Sequence, residues 1–137
     1  MHISVRGIVE YNGGYILIHR KKIQKDGTLR DYYVVPGGKQ EKGENDEETL
    51  KREVFEEVGI NVESIEKILE YDSKYNDSIQ KFYTCKYLNG VVGTGTGPEY
   101  TTDEYEGYIK PEIIKKEDIA SINLVPEEIK TKLIKKI

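Results

Sequence analysis

The chain has 137 residues, a length that suits one domain with one core. Charged residues make up 34% and apolar residues 36%, with a formal net charge of −4 and a pI near 5.3. That balance argues against a broad basic face for long DNA or RNA. It leaves room for a small phosphorylated ligand, because a local metal can override the global field.

The only cysteine, Cys85, excludes an intramolecular disulfide and fits a reducing cytoplasm. It lies in the alternating run FYTCKY and reads as a buried structural thiol. No positively charged start precedes an apolar stretch, and no apolar run approaches ~18 residues, so neither a signal peptide nor a membrane span is expected.

Residues 3–10 and 15–20 read as strands joined by the turn Asn12-Gly13-Gly14. The polar stretch 21–31 reads as a loop. Tyr32–Val35 is a short strand stopped by Pro36-Gly37-Gly38. Asn45 or Asp46 can cap a helix predicted over 46–58, which Gly59 ends. Its apolar positions Leu50, Val54 and Val58 recur every four residues. Residues 61–71 and 79–88 read as strands, and 90–97 (GVVGTGTG) as a glycine-rich turn or flap. A strand over 105–114 is expected to break at Pro111. Pro126 opens a last helix with Ile129, Leu133, Ile134 and Ile137 inward. The mixture of hairpins and a central helix predicts an α/β or α+β fold with a mixed sheet. No repeat or linker divides residues 1–137, so a single domain is expected.

The helix over 46–58 poses a question. Glu53, Glu56 and Glu57 fall within roughly a 100° arc at the edge of its apolar stripe. Like charges so placed cost a few tenths of a kcal/mol per pair. A solvated face with pairs such as Glu47–Lys51 offsets that weakly; a divalent cation offsets it well, because Mg²⁺ bridges carboxylates to phosphates. Arg52 is four residues from both Glu48 and Glu56 and can hold a carboxylate by an ion pair.

The whole stretch Gly38–Ile60, GKQEKGENDEETLKREVFEEVGI, resembles the Nudix box, with every defining position filled. At about 7% per position, chance agreement at its seven glycine and polar positions is on the order of 10⁻⁸ per start. The resemblance implies an α/β/α sandwich whose loop–helix–loop carries a site for Mg²⁺ or Mn²⁺. It implies hydrolysis of a pyrophosphate in a nucleoside diphosphate linked to another group. By the same resemblance Glu56 and Glu57 are metal ligands, and Glu53 is a further ligand or the base that activates water. Gly37 and Gly38 form a tight turn that frees a backbone carbonyl, assigned to Gly38, for the metal. Gly37 also lies against the substrate. Arg52 and Glu44 orient the helix, and Gly59 ends it. Arg20 is expected near substrate phosphates, Lys39 is a weaker substrate contact, and Glu99 is the choice for a late acid, ahead of Asp103 and Glu104.

GTGTG lacks the Lys-Ser/Thr ending of a phosphate-binding loop. His2 and His19 do not support a zinc site. Among the eleven tyrosines, including Tyr32, Tyr33, Tyr75, Tyr83 and Tyr100, none is singled out as a base-stacking residue. Lys74-Tyr75-Asn76 lacks the proline that ADP-ribose hydrolases tend to carry there. Small size makes the chain look most like MutT-type (d)NTP pyrophosphohydrolases, with a non-catalytic nucleotide sensor and a structural metal domain as competing readings. A small nucleotide is the expected partner; a homodimer is compatible with the sequence but not specified by it. If cation binding relieves carboxylate repulsion, replacing Glu56 and Glu57 together by Gln should raise stability without metal and abolish a Mg²⁺ response.

Overall fold

Alternating side chains on two central strands give the sheet two apolar faces, and one helix covers each. In the computed structural model, which describes residues 2–73, 77–95 and 107–136, β1 (His2–Tyr11) and β2 (Gly14–Ile23) form the first hairpin. Ile16 and Ile18 of β2 face one side; Tyr15 and Leu17 face the other. β3 (Leu29–Val34) and β4 (Gly37–Lys39) follow, then α1 (Asp46–Val58). β5 (Ile60–Ser73), β6 (Ser78–Gly90) and β7 (Tyr108–Lys115) complete the sheet, before a 3-10 turn over Lys116–Ser121 and α2 (Glu127–Lys136).

The sheet is mixed, because β1 runs parallel to β6 while the other pairings are antiparallel. It forks. β1 and β2 are paired only at Glu10–Tyr15 and Tyr11–Gly14. Beyond that point β4 takes the place beside β1, and β3 the place beside β2. The chain crosses the fork between Val34 and Gly37. α1 packs on one face through Leu50, Val54 and Val58, in one cluster with Val5, Val9, Ile18 and Ile60. α2 packs on the other through Ile129 and Leu133, with Leu17, Phe82 and Leu124. Gly7 lets α1 approach β1, since a Cβ there would press on Leu50 and Val54.

Several expectations change. Residues 21–31 are not a loop: β2 continues to Ile23 and β3 begins at Leu29, leaving only the turn 24–28. Polar cross-strand neighbours such as Lys22 opposite Arg30, and the Arg30 guanidinium over the Tyr32 ring at 4.0 Å, accompany this extension. Gly37–Lys39 is a short strand against Ser4–Arg6, not merely a turn. β7 runs through Pro111, which lies opposite Ile18. Among the described residues β7 pairs with β2 alone, as an edge strand does, where a residue without an N–H is tolerated. On α2, Ile134 is 40% exposed rather than inward, and Ile137 lies outside the described residues. Cys85 is buried as expected; burial, with Glu47 nearby, pushes its thiol pKa up to about 12.

Candidate active site at the end of helix α1

α1 is fixed at both ends. Asn45 accepts the backbone N–H of Glu48, and the Glu48 carboxylate accepts that of Asn45, a reciprocal capping box. Asp46 is therefore not the cap. It ties the helix start to β6 by accepting from the Tyr83 hydroxyl at 2.5 Å and from Lys81 at 3.4 Å. Burial alone would raise the Asp46 pKa; the bonds from Tyr83, Gln40 and Lys81 more than reverse that. At the other end Gly59 adopts φ +89° and its N–H returns to the Phe55 carbonyl. The loop after β6 closes on the same end, where the Gly93 N–H meets the Val58 carbonyl at 2.9 Å.

Arg52 organises the acids along the helix. Its Nε and Nη2 grip the two oxygens of Glu44 at 2.8 and 2.9 Å, a bidentate pair. Nη1 donates to Glu53 at 2.7 Å and lies 3.5 Å from Glu56, and Nη2 also donates to the Lys39 carbonyl at 3.1 Å. The bond from Arg52, with the Glu41 amide, holds the Glu44 pKa down at about 2; the same bond raises that of Arg52. Arg52 does not reach Glu48, because the capping box engages that carboxylate. Glu44 comes instead from the preceding loop, eight residues away. The i,i+4 pair Glu47–Lys51 forms at 3.4 Å.

Glu57 faces the fork and is 4% exposed. Its Oε1 accepts the Gly37 N–H at 2.7 Å, and its Oε2 lies 3.8 Å from Arg20 on β2. Gly37 has φ +149°, and a Cβ on it would overlap the Val5 carbonyl. At Gly38 a Cβ would overlap the Glu53 carboxylate, so the fork admits that acid only because no side chain is there.

The β1–β4 register corrects the assignment of the free carbonyl. Gly7 N–H donates to Pro36 O, and Gln40 N–H to Ile3 O. These bonds flank Arg6–Gly37 and Ser4–Lys39 and make Val5–Gly38 the mutually bonded pair. Gly38's carbonyl therefore faces Val5. Gly37's carbonyl faces away from β1, on the side where its own N–H meets Glu57.

The structure places Glu53, Glu57, Arg52, Glu44, Gly37, Gly38 and Arg20 along one continuous run of contacts. Glu56 is half exposed at the rim, 3.5 Å from Arg52. Lys39 contributes its backbone to Arg52, while its side chain is exposed. Glu99, Asp103, Glu104, Tyr75 and Tyr100 lie outside the described residues. Among the described residues, no three acids are gathered into a ready-made metal cage. Glu53 and Glu56 lie against Arg52, and Glu57 lies against Gly37 and Arg20. His19 is not a zinc ligand candidate; it bridges Asp31 at 2.6 Å and Glu112 at 2.7 Å on the opposite face of the sheet.

The family model described as the NUDIX domain matches residues 1–128, and the chain belongs to that family. In class it is a Nudix-type pyrophosphohydrolase. The MutT protein from Methanosarcina mazei Go1 superposes with a TM-score of 0.68 at 19% identity, covering 98% of this chain and 91% of that one. A MutT structure from work on Aliivibrio salmonicida and Vibrio cholerae gives 0.68 at 21%, covering 99% and 98%. An ADP-ribose pyrophosphatase from Streptococcus suis 89-1591 gives 0.62 at 18%, covering 90% and 79%. At these identities the likeness is one of fold. Comparison with curated proteins gives no match. No helix among the described residues is long and apolar enough to cross a membrane.

Proposed function

We propose that the chain hydrolyses a pyrophosphate bond of a (d)NTP or modified nucleotide, releasing a nucleoside monophosphate and pyrophosphate, with Mg²⁺ or Mn²⁺ as cofactor. The observation that carries this reading is the buried Glu57, held between the Gly37 amide and Arg20 at the open fork of the sheet.

The donor set fits a hard divalent cation. The candidate ligands are all oxygens: the carboxylates of Glu56, Glu57 and Glu53, and the Gly37 carbonyl. Mg²⁺ keeps several waters and takes one or two carboxylates together with substrate phosphates, so a preformed cage is not required. When bound, such an ion neutralises phosphate charge and lowers the pKa of a bound water. The remaining work falls to the chain. Arg20 offers a guanidinium to a phosphate oxygen. Arg52 keeps Glu53 oriented, and Glu53 or a neighbouring carboxylate accepts the proton of the attacking water. Glu44 fixes Arg52 and does no chemistry.

The test is product release from a panel of dNTPs, 8-oxo-dGTP, ADP-ribose, nucleotide sugars and diadenosine polyphosphates with Mg²⁺, run beside Glu57→Gln. Turnover of a triphosphate that collapses in the variant is expected. Tight nucleotide binding with no turnover of any substrate would overturn the reading in favour of a sensor.

A further inference from the structure

The β2–β3 hairpin extends past the core, and its two faces differ in chemistry. Residues two apart share a face, so Ile18, Arg20 and Lys22 look toward the α1 side, with Val34, Tyr32 and Arg30 opposite them on β3. His19 and Lys21 look the other way, with Tyr33 and Asp31. The hairpin's two carboxylates are engaged elsewhere: Asp31 with His19 on the reverse face, and Asp26 with Thr28 in the turn. At the paired positions of the α1-side face the charged side chains are therefore Arg20, Lys22 and Arg30, all cations. From Glu57 outward come Arg20, Tyr32 beside it, then Lys22 paired with Arg30, whose guanidinium lies on the Tyr32 ring. Among the described residues neither Lys22 nor Arg30 has a carboxylate partner, and the buried Arg20 Nε has no hydrogen-bond acceptor. A depression of about 360 Å³ lined by Arg20, Lys22, Tyr32 and Ile109 adjoins, at Lys22, one of about 510 Å³ whose lining includes Lys25, Arg30 and Asp26, the last bonded to Thr28. Each step along this track is roughly 7 Å.

We propose that this face of the hairpin is a subsite for a phosphate beyond the diphosphate that is cut. Nucleotides with three or more consecutive phosphates are then preferred to nucleoside diphosphates whose second group is an uncharged sugar. The inference rests on the hydrolase reading above and adds the residues that choose the substrate class: Lys22 and Arg30 together, with Arg20 shared between the subsite and the reacting phosphates. The extra phosphate belongs either to a triphosphate or to a longer chain between two nucleosides.

The decisive experiment needs no turnover. Calorimetric titration with inorganic tripolyphosphate and with pyrophosphate, both in EDTA, compares the wild type with Lys22→Ala/Arg30→Ala. A control, Lys132→Ala/Lys135→Ala on α2, removes the same charge elsewhere. The hairpin variant should weaken tripolyphosphate binding about tenfold, as the loss of charge-assisted contacts would, and pyrophosphate binding less than twofold. The control should change neither. Equal losses for both anions, a matching loss in the control, or no loss would overturn the subsite. Should losing the Arg30–Tyr32 contact lower the melting temperature, Lys22→Ala alone carries the same comparison. Selective loss of tripolyphosphate with no hydrolysis of any nucleotide would sink the hydrolase reading and leave the subsite standing. In turnover, a raised KM for both a triphosphate and a dinucleoside tetraphosphate supports the shared-phosphate form. A rise for only one of them identifies the source, and a rise for ADP-ribose of equal size refutes the preference.

Discussion

α1 and α2 lie on opposite faces of one sheet, and each is anchored by a short apolar stripe. They treat their charges in opposite ways. α2 has Glu127 and Glu128 in its first turn and Lys135 and Lys136 in its last, which complements the helix dipole at both ends. α1 also starts with acids, but its last turn holds no basic residue, and Glu56 and Glu57 sit at the negative end. One of them is buried. α2 thus follows the dipole rule at both ends, while α1 breaks it at its last turn and carries a set of polar supports: the Arg52 fork, the Gly37 amide, and caps at both ends. Local conflict retained together with so much support is what a functional site would show, and it supports the proposed site at this end of α1.

The sharpest way to separate the two helices is to alter one side chain on each. Glu57→Gln should lower kcat/KM by roughly 10²–10³, the scale of losing one preorganised electrostatic contribution to the transition state, here through the cation that Glu57 would hold. Its effect on stability should stay under about 1 kcal/mol. Gln can still accept the Gly37 N–H, and the weakened Arg20 contact is balanced by removing a negative charge from the helix end. This revises the expectation that Glu56→Gln/Glu57→Gln would stabilise the chain, because the repulsion is already relieved by Arg52 and Arg20. Leu133→Ala on α2 should do the reverse. It removes a fully buried side chain and should cost about 3 kcal/mol, with specific activity of the folded fraction unchanged. Thermal melts beside initial rates check both. An Ala variant that cost activity and stability in proportion would erase the distinction.

A smaller effect tests the support itself. Arg52→Lys keeps the charge but cannot span Glu44, Glu53 and the Lys39 carbonyl at once. The expected loss is about 2 kcal/mol of stability, together with a fall in kcat, since Glu53 is freed to turn. Urea melts and single-turnover rates would show whether the two losses occur together; unchanged rates would mean that Glu53 needs no holding.

Much of this was legible beforehand, for physical reasons that differ by element. The Leu50–Val54–Val58 stripe and the Gly59 stop are short-range signals, and α1 formed where they placed it. Helical spacing also suggested Glu48 as a partner for Arg52. The capping box took that carboxylate, and the partner came from the loop, which periodicity does not describe. In sequence the long hairpin resembles a loop, because residues 20–31 (RKKIQKDGTLRD) are almost all polar. A ladder without apolar alternation has no period-2 signature. Sequence does not tell the Gly37 carbonyl from the Gly38 carbonyl, because register decides which faces away from β1, and register is a tertiary fact. On α2, Ile134 looked inward by composition, but the buried stripe there is only Ile129 and Leu133 wide.

The smallest effect concerns pH, and its sign follows from Glu44. Its pKa falls from an ordinary 4.5 to about 2 in the folded chain because Arg52 and the Glu41 amide bind the charged form. A depressed folded pKa means that the unfolded chain binds the proton first. The stabilisation is then complete above about pH 4.5 and lost as pH falls through 2. Glu44→Gln removes that titration. The melting-temperature gap between wild type and variant should therefore be constant above pH 5.5 or so, narrow steadily below about 4.5, and nearly close toward 2. A gap at Glu44 that stayed constant across this range would mean that the Arg52 fork does not discriminate the charged acid from the neutral one. Its hold on Glu53 would then have to come from Glu53's own charge.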